Sequence, residues 1–340
     1  MSGRLTAALY RTAWRCTRYL PTWLGYGLAH AGADVAWTVH RLRPTRTGVG
    51  QLERNLARLL PADTTARALH RASRAAMRSY MRYFYEAFAL PSMSLEQVMA
   101  RVRADVPESL RQDARDGSVV LALPHMGNWD LVGTWACQEL AQVLTVAERL
   151  EPADLFDQFV RFRQGQGMRI IGQAPGEKVF EHLVGTASQG HYAVALLADR
   201  DLSASGVLAD LAGHRARVAA GPAAIAQRLG LPLYAVTIGY EPLTGERRRR
   251  AGSRWGLYVR ACHVPAPEGL DGRAQVEAWT RRWVSALAPD LAAHATDWHM
   301  LQPVFDADLD QERLARSHAR QGGAATADPA ASRHLQEGSA

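Results

Sequence analysis

The spacing of apolar and polar positions divides the chain into two parts. Up to about residue 90 the apolar positions recur with helical period. Over residues 5–42, Leu5, Leu9, Tyr10, Trp14, Tyr19, Leu20, Trp23, Leu24, Tyr26, Leu28 and Trp37 mark a helical, aromatic stretch punctuated by arginine and histidine. A second helix is expected over Gly50–Leu60 and a third over Thr64–Leu90, where Leu69, Met77, Tyr80, Met81, Phe84, Tyr85 and Phe88 form a core-facing stripe. From Gly117 the pattern becomes short β-rich runs separated by helical segments. Strands are expected at Val119–Leu123, Val143–Val146, Arg169–Ile171, Tyr192–Leu197, Leu233–Gly239 and Trp255–Ala261. Helices are expected at Gly127–Leu140, Pro152–Gln164, Lys178–Ser188, Gly221–Leu229 and Gly272–Leu287. This alternation predicts an α/β fold: a central, largely parallel β-sheet flanked by helices. The chain reads as one domain over residues 1–310, helical over 1–90 and α/β over 100–300. Residues 311–340, rich in Ala, Arg, Ser and Gly, read as a disordered tail. "GERRRRAGSR" (Gly245–Arg254) reads as an exposed hairpin loop whose arginines are either solvated or turned to anionic lipid.

Composition narrows the function classes. With 340 residues, 47% of them hydrophobic, a large core can be buried. Cys16, Cys137 and Cys262 are scattered and form no CxxC pair, which argues against a disulfide framework or a zinc site. The net charge of +7 is carried almost entirely by arginine and suits an anionic partner such as a membrane or a phosphorylated ligand. No recognition-helix or RNA-binding pattern accompanies it, so nucleic acid is not expected. The longest apolar runs are strand-sized, well short of the ~20 residues that span a bilayer. Arginines interrupt the N-terminal stretch, so no signal peptide is expected. The tryptophans, tyrosines and arginines of residues 5–42 suit a bilayer interface, although the same aromatics would also cover a core.

The candidate chemistry lies in "VVLALPHMGNWDLVG" (Val119–Gly133). His125 follows the end of a predicted strand, where open α/β sheets place their ligand sites. A helix begins just after it, and the positive end of its dipole disfavours an imidazolium. A neutral imidazole accepts a proton, so the position favours a general base. Asp130, five residues on, is expected to bond one ring nitrogen and support the cation formed at the other. No GxSxG motif occurs and no serine or cysteine lies close in sequence, so this base would activate a substrate hydroxyl directly. No GxGxxG, Walker or HExxH pattern is present, which argues against dinucleotide, nucleoside-triphosphate and zinc-hydrolase chemistry.

His125-Met-Gly-Asn-Trp-Asp130 resembles the HxxxxD signature of glycerolipid acyltransferases, in the form used by the bacterial lipid A branch. The likeness continues through Thr145–Met168, Leu196–Val207, Val218–Gly230 and Asp297–Phe305. Those blocks are similar to the actinobacterial phosphatidylinositol mannoside acyltransferases. The resemblance implies acyl transfer from acyl-CoA, as co-substrate and with no bound cofactor, to the 6-hydroxyl of a mannose on a phosphatidylinositol mannoside. It implies a peripheral protein on the cytoplasmic side of the plasma membrane. It also carries over individual residues. Glu148 and Arg163 match an acid–base pair lining the active-site groove, with Arg163 alternatively holding a phosphate of CoA. Asp199 stands where relatives carry glutamate, and is expected to bond the sugar or the base. Ser205 lies in a loop that contacts ligand, and Arg228 is a candidate partner for CoA phosphates. His299, between Trp298 and Met300, reads as a packed structural residue rather than a second base. Two rivals keep the chemistry: an acyltransferase for a lysophospholipid or another glycolipid, and a thioesterase-like hydrolase. A third is a lipid-binding protein without turnover.

Overall fold

The computed structural model describes residues 20–44, 46–148, 153–173, 179–203 and 205–312, together with residues 17, 314 and 315. The side chains of residues 148, 153–156, 158 and 173 are not among those described. The first part is helical: α1 (Thr22–Leu42), α2 (Val49–Leu59), α3 (Ala66–Ala89) and α4 (Leu95–Arg101). Ser94 and Gln97 form a capping box that starts α4, each side chain satisfying the other's backbone N–H.

The sheet part follows, with β1 (Val102–Asp105), α5 (Glu108–Asp116), β2 (Val119–Leu123), α6 (Trp129–Glu139), β3 (Gln142–Glu148) and α7 (Ala153–Gly165). Then come β4 (Arg169–Gln173), α8 (Val179–Ala187), β5 (Tyr192–Leu197), β6 (Val207–Leu211), β7 (His214–Val218) and α9 (Gly221–Leu229). The chain ends in β8 (Leu233–Pro242), α10 (Gly245–Ala251), β9 (Trp255–His263) and α11 (Gly272–Ala293).

Among the described residues seven strands form one sheet in the order β1-β9-β8-β2-β5-β3-β4, parallel at every junction except the antiparallel β8–β9 pair. The expected α/β class is therefore borne out. β2 is buried along its whole length. Val120 and Ala122 face a core shared with α2, α3, α9 and α11, whereas Val119, Leu121 and Leu123 face a core shared with α4–α7. Burial on both faces is why β2 reads as an unbroken apolar run.

Five local expectations change. The strand β1 and the β6–β7 hairpin were not expected. Ala212 and Gly213 turn that hairpin with φ of 54° and 82°, the conformation of a two-residue loop with both central residues left-handed. "GERRRRA" is the helix α10 rather than a loop. Arg247 ties it down, donating to the carbonyls of Ala100 and Arg101 and pairing with Glu241, so that arginine is structural. The last helix runs past Leu287 and through Pro289 to Ala293, because buried Leu287 and Leu291 anchor its final turn. Leu5, Leu9, Tyr10, Trp14 and Tyr19 lie outside the described residues, as do residues 313 and 316–340 of the expected disordered tail 311–340; Gln311, Glu312, Leu314 and Ala315 are instead helical, and Leu314 is buried. Among those described, no helix is long and apolar enough to cross a membrane.

Candidate active site

His125 stands two residues beyond the end of β2, and Asp199 two residues beyond the end of β5. The two strands are parallel neighbours with Leu123 opposite Leu197, so the same register carries His125 opposite Asp199. The His125 Nδ1 lies 2.6 Å from Asp199 Oδ1, and the His125 backbone N–H donates to Oδ2 at 3.0 Å. The Trp298 indole N–H donates to the same Oδ2 at 2.7 Å. A carboxylate only accepts, so Nδ1 carries the hydrogen and Nε2 of the neutral ring holds a free lone pair. Asp199 is 2% exposed while the His125 side chain is 38% exposed, so the ring alone reaches the groove.

The electrostatics differ from the helix-dipole expectation. Burial opposes charge on the His125 ring, but the charge and hydrogen bond of Asp199 outweigh it and raise the histidine pKa. Burial likewise opposes the Asp199 carboxylate, and the His125 ring and the indole together hold its pKa below the usual value. The carboxylate 2.6 Å away acts more strongly than a dipole shared over a helical turn.

The turn after His125 is held from several sides. Gly127 has φ of +61°, and a Cβ there would lie 2.5 Å from the Ile238 carbonyl oxygen, so a side chain is excluded. Its N–H donates to the Asp297 carbonyl, and the His299 N–H donates to the His125 carbonyl. Asn128 caps α6 by accepting from the Leu131 N–H, and its amide donates to Glu86 on α3 at 3.0 Å. Buried Glu86 also accepts from the hydroxyls of Tyr26 and Tyr240 and lies 3.6 Å from Arg101. Glu86, Tyr26 and Tyr240 thus tie the turn after His125 to α1 and β8. The sequence reading missed them; their only signal is a carboxylate within an otherwise core-facing helix.

Asp130 does not meet the His125 ring, contrary to the expected pairing. It is the second residue of α6 and is buried beneath the helix. It accepts from Arg163 Nε at 2.6 Å, Arg163 Nη2 at 3.3 Å and the Tyr83 hydroxyl at 2.9 Å. The physical reason is helical rotation: once the helix starts at Trp129, Asp130 turns toward α3 and α7, away from the strand end. Arg163 therefore pairs with Asp130; Glu148 closes β3, and the expected Glu148–Arg163 pair lies outside the described residues because the Glu148 side chain is not among those described. Burial opposes the Arg163 charge, but Asp130 overrides it and raises the arginine pKa further.

The remaining candidates separate clearly. Ser205 is exposed in the loop after β5, hydroxyl to hydroxyl with Ser203 at 2.7 Å, on the same sheet edge as Asp199. Arg228 is exposed in the last turn of α9, just before β8 begins. β8 runs parallel to β2, so Arg228 lies at the opposite edge of the sheet from His125 and does not join the site. Arg200 donates to the Pro303 carbonyl at 3.0 Å, and Asp201 accepts from the Ser203 N–H. His299 is buried against Tyr80, Tyr83 and Trp129 with Nε2 3.1 Å from the Ser79 hydroxyl. Burial, then the charges of Arg82 and His125, lower its pKa to about 3, so it stays neutral as part of the packing.

Beside the turn after His125 opens an apolar slot. Trp129, Asp130 and Arg163 line it together with Leu110, Leu121, Leu123, Gly133, Trp135, Met168, Leu197 and Val259. Trp129 meets the His125 ring edge-on at 5.8 Å, so slot and base are neighbours. Its cavity volume is about 80 Å³.

A histidine at a parallel strand end, oriented by a buried carboxylate and flanked by an apolar slot, defines the class. The chain belongs to the bacterial lipid A biosynthesis acyltransferases, whose family model matches residues 2–306. It is an O-acyltransferase of lipid biosynthesis. Among curated proteins it is 35% identical over 321 residues to the phosphatidylinositol mannoside acyltransferase of Mycolicibacterium smegmatis, covering 93% of this chain and 96% of that one. It is 33% identical over 316 residues to the protein of that name from Mycobacterium tuberculosis, covering 92% of each. Among solved structures the acyltransferase PlsC of Thermotoga maritima aligns with 14% identity and a TM-score of 0.32, over 63% of this chain and 86% of that one. A likeness at that level carries no further argument.

Proposed function

We propose that this chain transfers a fatty acyl group from acyl-CoA to a mannose hydroxyl of a phosphatidylinositol mannoside, the 6-hydroxyl of the mannose on the inositol 2-position. The observation that carries the reading is the His125–Asp199 pair, with its free Nε2 beside the apolar slot. In the reaction His125 Nε2 takes the proton of the sugar hydroxyl as its oxygen attacks the thioester carbonyl. Asp199 stabilises the imidazolium that forms. The tetrahedral intermediate collapses, the carbon–sulfur bond breaks, and the proton passes from the imidazolium to the departing CoA thiolate. The acyl chain lies in the slot, whose walls exclude the water that would hydrolyse the thioester. Asp130 and Arg163 line the slot, and their bonds with each other and with Tyr83 fix the start of α6.

The acceptor assignment is supported by the names of the relatives that align over nearly the whole chain. The enzyme works as a peripheral protein on the inner leaflet, with α1 against the bilayer. Leu28, Val35, Val39 and Leu42 lie along one face of that helix and are more than half exposed, as an interfacial helix requires. A palmitoyl-CoA transfer assay offers phosphatidylinositol mono- and dimannosides beside lysophosphatidic acid. Wild type labels the mannolipid, and His125→Ala lowers the rate at least ~10³-fold. Label on lysophosphatidic acid alone would reject the acceptor, and equal turnover by both proteins would reject the base.

A further inference from the structure

A second cavity lies between α1 and an adjacent face of α3, apart from the catalytic groove. It is lined by His30, Arg71, Arg74, Arg78, Arg82 and Arg254, with Trp255 among them. Its cavity volume, about 480 Å³, exceeds that of the apolar slot.

The charge here is unbalanced. Asp34 takes bidentate bonds from both Arg74 and Arg78, at 2.5–2.9 Å. It is the first acidic residue in the chain, so the N-terminal segment brings no carboxylate to the cleft. Burial and the charges of Arg82, Arg78 and Arg254 lower the His30 pKa to about 4, which leaves it neutral. Among the described residues five guanidinium groups line the cleft; Asp34 pairs with two of them, and buried Asp297 interacts with Arg82.

The inner end is also short of partners. Arg82 is 6% exposed, and its guanidinium lies 3.7 Å from the ring of Trp255 and 4.3 Å from that of Tyr240. Those rings ease the burial of the cation and hold its plane, but they accept no N–H bond. Among the described residues three buried nitrogens of the cleft have no hydrogen-bond partner: Arg82 Nε, Trp255 Nε1 and His30 Nε2. Native folds rarely leave buried donors unmet, and these three line one basic cavity. A tetrahedral anion with several acceptor oxygens answers both the charge and the missing bonds, and the guanidinium fork suits phosphate geometry.

The position indicates the source of that phosphate. Trp23 is 75% exposed and stands at i, i+7 and i+11 with His30 and Asp34, on the flank of α1 that borders the cleft. Leu28, Val35, Val39 and Leu42 occupy the outer face of the same helix. The cleft-bordering flank is about 130° around the helix from that face, so a bilayer against the outer face leaves the cleft on the headgroup side of the helix, away from the acyl chains.

We infer that the α1–α3 cleft binds the phosphate of an anionic phospholipid headgroup, at a site distinct from the one that holds the reacting lipid. The inference rests on the peripheral-membrane reading above. Its test measures partition of the full-length protein into phosphatidylcholine vesicles with and without phosphatidylinositol. Binding is read without turnover, so a failure of the acyl-transfer reading is seen separately, and His125→Ala should partition like the parent. Arg71 and Arg254 are exposed, so the pair Arg71→Glu and Arg254→Glu tests the rim without disturbing the core. This double variant should lose phosphatidylinositol-dependent partition by at least about tenfold. The same reversals at Arg273 and Arg281, on α11, should change it by less than about twofold. Arg82→Lys keeps the charge but not the fork, and should reduce the preference for phosphatidylinositol-containing vesicles. Equal partition by the cleft and α11 variants would overturn the site. Saturable binding of soluble inositol 1-phosphate, with vesicle partition untouched by the cleft variants, would overturn the lipid as its source.

Discussion

Two buried aspartates flank the same groove, and they are held in different ways. Asp199, past the end of β5, faces a titratable partner, the His125 ring, and takes two further N–H bonds. Asp130, in the first turn of α6, faces Arg163, which keeps its charge, and the Tyr83 hydroxyl. Both carboxylates are satisfied. Only the first can pass the effect of its charge to a group that gains and loses a proton near neutral pH. The second anchors a helix start and lines the slot. A carboxylate five residues from a histidine is therefore not its partner by virtue of that spacing.

The sharpest way to break this contrast is Asp199→Asn. The imidazolium loses its counter-charge and the ring its fixed tautomer, so kcat should fall about 10²–10⁴-fold. The sign of the pH effect follows from the pair. Asp199 raises the pKa of His125, and in the proposed reaction that ring takes a proton only when neutral. The acidic limb of kcat/KM in the parent therefore lies above the ordinary histidine value, and in Asp199→Asn it should move to lower pH. An unmoved limb would contradict the pairing. The same linkage makes the raised histidine stabilise the fold at pH below its unfolded pKa, a contribution lost as pH rises through the folded value.

Asp130→Asn is the next largest change, and it should act on stability first. Removing one partner of a buried ion pair costs about 3–5 kcal/mol, because Arg163 is left without its counter-charge. The urea midpoint should fall, while the acidic limb of the surviving activity stays in place. A shift of that limb comparable to the Asp199 variant would merge the two roles. Tyr83→Phe is the smallest of the three. It deletes one hydrogen bond to Asp130 while Arg163 still holds the carboxylate, so the loss is about 1 kcal/mol. Equal destabilisation by Tyr83→Phe and Asp130→Asn would show that the hydroxyl, rather than the guanidinium, carries the cluster.

Much of the framework was legible before any coordinate. The strands β2 and β5 and the helix α9 fall on their expected residues, since apolar runs of strand length between turn signals have few alternatives. The polar-rich β1 and the β6–β7 hairpin escaped notice. All three strands are short, and β1 and β7 are about half exposed, so their alternation competes with that of an ordinary loop.

The amino-acid sequence by itself determined the α/β class, the placing of His125 at a strand end, and the presence of a carboxylate at residue 199. These follow from local period and from the chemistry of single residues. Only the tertiary structure decided which carboxylate the histidine meets, that Arg163 closes on Asp130, and that Arg228 stands at the far edge. Those outcomes depend on strand order and register between segments more than 30 residues apart, for His125 with Asp199 as for Asp130 with Arg163. Neighbouring parallel strands bring equivalent positions to within about 5 Å, whereas separation along the chain carries no such constraint.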